Sequence, residues 1–248
     1  MIDIDSLTAQ LGDRRVLDDV SLSVGAGELV AVCGANGSGK TSLMRAALGL
    51  IAISRGEVRL SGRPLALMSP RERACHLSYL PQERHIGWNL PAVEVAALGV
   101  PWLSGEAARD QGLRALSLVG LEALAGRGVA DMSGGERARV LFARMLAAGA
   151  PLWLVDEPVA GLDLDAELMM MEIMVAHVAS GGSVICSLHD LGMAARFADR
   201  VLVMKSGRII ADDAPRRALR PEVLAQAFGV HGHWVEGPDG PLLSSQRL

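Results

Sequence analysis

Glu28-Leu-Val-Ala-Val-Cys33, followed by Gly34-Ala-Asn-Gly-Ser-Gly39-Lys40-Thr41, decides how this chain folds. The first six residues form a short apolar run, the pattern of a strand buried on both faces. The next eight fit the spacing GxxxxGK[ST], and residues 41–50 read as a helix ending near Gly49. Strand, glycine loop and helix in that order are the context this spacing requires. Glycines let backbone N–H groups curl around phosphate oxygens, and the helix dipole adds to the attraction. In such a loop Lys40 reaches the terminal phosphates and the Thr41 hydroxyl ligates Mg²⁺, with Gly34, Asn36, Gly37, Ser38, Gly39 and Ser42 completing the cradle. Lysine occurs only at Lys40 and Lys205, threonine only at Thr8 and Thr41. The composition predicts about 0.002 chance matches, so a plain glycine turn beside a surface lysine is set aside.

Working outward, residues 16–24 (VLDDVSLSV) alternate as a half-buried strand does, and 56–61 and 77–80 also read as strands. Residues 69–77 read as a helix capped by Ser69 with Pro70 at its first position. From 83 to 145 the chain turns Ala- and Leu-rich, with helices at 91–98 and 105–119. Strands return at 152–155, 183–188 and 201–204, separated by helices, which implies a parallel sheet. The expected fold is therefore α/β. Residues 1–82 and 146–215 form the core with an N-terminal antiparallel part, 83–145 a helical insertion, and 216–248 one accessory helix (RRALRPEVLAQAF) with a hairpin around 237–240.

Leu152-Trp-Leu-Val155 ends in Asp156 and Glu157. Side chains alternate along a strand, so the two carboxylates face different ways and divide the work. Asp156 suits a Mg²⁺ role and Glu157 the polarisation of an attacking water. Ser133-Gly-Gly-Glu136 has the spacing of a capping box. Such a box does not need two glycines, each costing up to ~1 kcal/mol in a helix. Two bare N–H groups at a helix start offer a second phosphate site.

Taken together, 34–41, 133–136, 152–157 and a later histidine resemble the ATP-binding subunit of ABC transporters, over nearly the whole chain. The resemblance implies a P-loop NTPase core that binds and hydrolyses ATP with Mg²⁺. It implies that Gln82, ending the run Tyr79-Leu-Pro-Gln82, stands near Mg²⁺ and the attacking water. Asp163 would lie at a dimer interface, and His189 would contact the γ-phosphate from a strand end. It also implies a homodimer in which Lys40 of one copy and Ser133, Gly134, Gly135 and Glu136 of the other hold one nucleotide. Leu11-Gly12 stands where the family often has an aromatic residue, so the adenine falls to Leu11 or Val16. Met132 replaces the usual Leu of the second motif, and Val159 replaces a small polar residue.

Leu67-Met-Ser-Pro-Arg-Glu-Arg-Ala74, Val93-Glu-Val-Ala-Ala-Leu-Gly99 and Ala227-Phe-Gly-Val230 resemble importers of ferric siderophores, haem or cobalamin. That branch implies a peripheral subunit on the cytoplasmic face of the inner membrane. It would dock an integral-membrane permease near 83–103, where Trp88, Leu90, Pro91 and Trp102 lie, and serve an extracytoplasmic binding protein indirectly. A soluble ABC-type ATPase that remodels complexes and an exporter subunit share the catalytic motifs and stay open as alternatives. The 248 residues carry net charge −4 and no Lys/Arg-dense segment, which argues against a nucleic-acid partner. The N-terminus lacks a basic-plus-apolar leader and no apolar run reaches ~20 residues, so the chain is expected in the cytosol. Cys33 and Cys186 fall in apolar runs and read as core. His76, His85, His177, His231 and His233 read as satisfied or solvated side chains, and Met169-Met-Met171 with Met174 as core filling.

Overall fold

The computed structural model describes residues 1–83, 86–237 and 240–247. The chain runs β1 (Ile2–Leu11), β2 (Arg14–Val24), β3 (Leu29–Cys33), α1 (Lys40–Ala47), β4 (Ile53–Leu60), β5 (Arg63–Pro64), α2 (Pro70–His76) and β6 (Leu77–Leu80). Then follow α3 (Ala92–Ala97), α4 (Gly105–Leu118), α5 (Gly134–Ala147), β7 (Leu152–Asp156), α6 (Leu164–Ala179), β8 (Ser183–Ser187) and α7 (Leu191–Phe197). The last elements are β9 (Arg200–Lys205), β10 (Arg208–Asp213), α8 (Pro215–Ala218), α9 (Pro221–Phe228), β11 (Val230–Gly237) and β12 (Gly240–Arg247).

The central sheet has the order β10-β9-β3-β8-β7-β6, parallel except for the antiparallel β10 at its edge. Alternation along its strands builds two cores. Leu29, Ala31 and Cys33 of β3, with Trp153 and Val155 of β7, Val184 and Cys186 of β8, and Val201 and Val203 of β9, face the helices α3 to α6. Val30 and Val32, with Leu152, Leu154, Ile185, Leu202 and Met204, face α1 and an antiparallel sheet of order β2-β1-β4-β5. Every residue of β3, β7 and β8 is buried, which is why these runs read as continuously apolar. Met170, Met171 and Met174 are buried in the first core.

Two expectations change in the structure. The tail stretch expected as one helix is broken into α8 and α9, because Pro221 holds the preceding Arg220 extended (ψ 157°). The strand expected from 56 begins at Ile53, with Gly56 at φ 85° inside it. There a Cβ would come within 2.3 Å of the Asp5 carbonyl oxygen, so the two strands close only on glycine. The tail's β11 and β12 pair antiparallel from Val230↔Arg247 to Gly237↔Gly240, and α9 packs against β9 and β11. Pro238 and Asp239 of the expected turn lie outside the described residues, as does His85.

Candidate functional site

Parallel pairing brings the ends of β3, β6, β7 and β8 to one edge of the sheet, with Val155 opposite both Leu80 and Cys186, and Asp156 opposite Ser187. The residues that follow these strands therefore gather there, at the edge where open α/β sheets bind ligands. Gln82 follows β6, Glu157 β7, His189 β8 and the glycine loop β3.

The loop is shaped by close approach. A Cβ on Gly34 (φ 154°) would lie 2.5 Å from both the Met204 carbonyl oxygen and Ser38 Oγ. Gly39 caps α1 at φ 114°, with the Val16 carbonyl 3.0 Å from where its Cβ would stand. Only glycine fits either place. The turn between β9 and β10 straps the loop in position. The Gly207 N–H donates to the Ser38 carbonyl (2.8 Å), and its own carbonyl accepts from the Asp18 N–H (2.9 Å). Lys40 is buried, and its Nζ donates to the carbonyls of Gly34 (2.9 Å) and Ala35 (3.4 Å). Burial pulls its pKa below the ordinary lysine value, against the opposing pull of Glu157, Cys33 and Asp156.

Glu157 joins Gln82 and His189 in the same cavity. Its Oε2 accepts from Gln82 Nε2 (2.7 Å), and its Oε1 lies 2.5 Å from His189 Nε2. Its backbone stands at φ 50°, a conformation costing a non-glycine residue of order 1–3 kcal/mol. The fully buried Ser187 holds it there: Ser187 Oγ accepts from the Glu157 N–H (2.9 Å) and donates to Asp156 Oδ1 (2.6 Å). Asp156 is itself fully buried, and its Oδ2 has no hydrogen-bond partner among the described residues. Burial of Cys33, directly before Gly34, pushes its thiol pKa up to about 12, and Cys186 is likewise raised well above its ordinary value.

A cavity of about 670 Å³ joins these pieces. Of the residues expected from sequence, Leu11, Val16, Asn36, Gly37, Gly39, Lys40, Thr41, Ser42, Gln82, Glu157 and His189 line it. Gly34, Ser38 and Asp156 are buried outside that lining. Ser133, Gly134, Gly135, Glu136 and Asp163 are not brought to it within one chain. Ser133 caps α5 in a full capping box with Glu136, and Asp163 caps α6 by accepting from the Ala166 N–H (2.9 Å). These two segments adjoin, since Leu162 lies 3.8 Å from where a Cβ on Gly135 would sit. Sequence reasoning missed Ser187, the strap at Gly207, and Arg14 and Arg15 at the cavity wall. Ser187 had one signal, a polar residue ending an apolar strand beside another strand's carboxylates.

Fold and site together define a P-loop ATPase with a helical segment between the two strands that carry Gln82 and Glu157. The sequence profile of the family described as ABC transporter matches residues 17–160. The hemin import ATP-binding protein HmuV of Nocardia farcinica is 41% identical over 239 residues, covering 95% of this chain and 82% of that protein. HmuV of Myxococcus xanthus is 38% identical, covering 97% and 94% respectively. The ATP-binding cassette MJ0796, solved as a post-hydrolysis dimer bound to ADP and Pi, aligns with TM-score 0.79 at 26% identity, covering 87% of this chain and 99% of that one. An inward-facing structure described as of metal-chelate type aligns over 100% of this chain and 97% of its own with TM-score 0.85; at 19% identity it supports the fold alone. The chain belongs to the ABC transporter family, as an ATP-binding protein that hydrolyses ATP to power transport.

Proposed function

We propose that this chain energises an importer by closing head to tail with a second copy around two ATP molecules. The observation that carries the reading is the convergence of Gln82 and His189 on the two oxygens of Glu157, in the same cavity as Lys40 and Thr41. Glu157 orients a water and takes its proton, His189 holds the carboxylate from the γ-phosphate side, and Lys40 holds the terminal phosphates. For Lys40 to do so, its ammonium exchanges the Gly34 and Ala35 carbonyls for phosphate oxygens.

The donor set fits Mg²⁺. Asp156 Oδ2 is a buried carboxylate oxygen without a partner among the described residues, and leaving such an atom unsatisfied costs about 1–3 kcal/mol or more. Thr41, Gln82 and Asp156 would hold the ion, which when bound neutralises charge on the phosphate oxygens.

The second phosphate site comes from the partner copy. A Cβ on Gly134 would meet nothing within 4 Å, and one on Gly135 only Leu162. Neither glycine has a positive φ among the described residues. Packing and backbone therefore do not require glycine at the start of α5, whereas close approach by a phosphate does. Ser133, Gly134 and Asp163 are exposed, as a surface closing on another copy must be.

The relatives and the surface support a reading of cargo and membrane partner. Proteins named for hemin import cover nearly the whole chain, and we assign hemin-type cargo on that support. Trp88 is 78% exposed, and Leu98, Trp102 and Leu103 of the same segment are exposed as well. Trp102 also lines a groove of about 350 Å³ with Pro101 and with Pro70, Arg71 and Ala74 of α2. This apolar surface suits a permease segment, with an extracytoplasmic binding protein on the permease's far side. No described helix is long and apolar enough to cross a membrane. On this reading the subunit is peripheral and sits on the cytoplasmic face of the membrane, held there by its contact with the permease. Mild-detergent purification of the tagged chain from native membranes, with mass spectrometry, tests the reading. A polytopic permease encoded with a hemin-binding protein is expected; recovery of soluble partners alone from intact membranes overturns it.

A further inference from the structure

The cavity wall formed by β1 and β2 is cationic where this family often presents an aromatic ring. Among the described residues no Phe, Tyr or Trp lines the cavity, whereas Arg14 and Arg15 both do. The two arginines are not equivalent. Arg15 is taken by Asp18 (Nη1 to Oδ1, 2.9 Å), a carboxylate that also accepts from Arg208. Arg14 enters no ion pair among the described residues. Its Nη2 stands 3.9 Å from where a Cβ on Gly37 would project, so its guanidinium lies against the phosphate-cradling loop. Gly37 is exposed with φ 76°, and a side chain there would stand between the guanidinium and the loop backbone.

Charge gives this placement its meaning. The cavity also has carboxylates, with Glu157 in the lining and Asp156 buried directly before it at the end of β7. A triphosphate adds about four negative charges, and Lys40 is the one other lining cation without a carboxylate ion pair among the described residues. Arginine's planar donors suit phosphate oxygens better than an ammonium does. We infer that Arg14 is a nucleotide-positioning residue that grips the polyphosphate of ATP from the outer side of the glycine loop. The adenine is then left to apolar contact with Leu11 and Val16. This rests on the phosphate-loop assignment proposed above and adds a binding group to it.

Titration calorimetry of the full chain with Mg·ATP and, separately, with Mg·tripolyphosphate tests the inference. Arg14→Ala is expected to weaken both ligands by the same factor, about three- to tenfold, because Arg14 is exposed and partly screened. Arg14→Lys should fall between wild type and Arg14→Ala, since it keeps the charge but not the planar donors, and raising the salt should shrink the difference between wild type and Arg14→Ala. Unchanged binding of both ligands in Arg14→Ala overturns the inference. So does a loss for ATP with tripolyphosphate unaffected, which would put the guanidinium on the base. Lys40→Ala is the control. If it leaves tripolyphosphate binding intact, the phosphate-loop assignment itself fails, a result distinct from either outcome at Arg14.

Discussion

Ser187 shows how one hydroxyl can set two carboxylates at once. Its proton goes to Asp156 Oδ1, and its lone pair receives the Glu157 N–H that the left-handed backbone turns inward. Ser187→Ala deletes both bonds, strands a buried N–H at a cost of about 1–3 kcal/mol, and frees Glu157 to leave its strained conformation. The serine is not itself in the cavity lining, and its bonds go to Asp156 and the Glu157 backbone, not to the phosphate loop, so ATP binding should survive. The expected result is a kcat about ten- to a hundredfold lower, with KM for ATP moved by less than about threefold. Steady-state kinetics decide it: a rise in KM with kcat intact would show that Ser187 serves binding instead. This residue also marks where sequence reading stops. Lys40, Thr41, Asp156 and Glu157 are legible because strand, loop and spacing fix their places along the chain. Ser187 acts through pairing between β7 and β8, and pairing register is a tertiary fact that local sequence does not carry.

At the scale of elements, the strands and helices that line the site follow from apolar runs and caps. The box at Ser69–Glu72 starts α2, and that at Ser133–Glu136 starts α5, as their spacing requires. What the pattern hides is competition between neighbours. Pro221 splits a stretch whose apolar periodicity reads straight through it, because the restriction acts on the residue before it. Asp163 reads as an interface residue by resemblance, yet within one chain it also caps α6. His177 is a further case, since a lone histidine on a helix gives no sign of its partners. Its ring stacks on Trp153 at 3.6 Å and 8°, and its Nε2 bonds to the Pro151 carbonyl (3.0 Å), tying α6 to β7. Burial lowers its pKa, outweighing the carbonyl bond that raises it. Between that lowered value and the unfolded value near 6.5, the unfolded chain binds more protons. His177 therefore stabilises the fold fully above about pH 6.5 and loses that contribution as pH falls below it. His177→Phe keeps a ring against Trp153 but cannot titrate. Its Tm should fall less than the wild type's between pH 7.5 and 5.5. Parallel Tm–pH curves for the two proteins would remove His177 from the acid sensitivity.

At the scale of the whole molecule, one chain does not bring its two candidate phosphate-binding segments together. The phosphate loop, Glu157 and His189 face one cavity, while Ser133, Gly134 and Asp163 lie exposed elsewhere on the surface. The proposed two-fold dimer would reconcile them, because an isologous interface sets segment i of one copy against segment j of the other, twice over. The consequence can be tested by mixing two inactive variants. Lys40→Ala removes the lysine from a copy's own phosphate loop. Gly135→Glu puts a carboxylate where the partner's phosphate is to bind, at a position with room for a side chain. Each homodimer then carries two broken sites. A mixed dimer concentrates both defects in one site and leaves the other intact. Random pairing makes half the dimers mixed, each with one working site, so the mixture should recover about a quarter of wild-type ATPase activity. Were each site built from a single chain, every site in the mixture would stay broken and no activity would return.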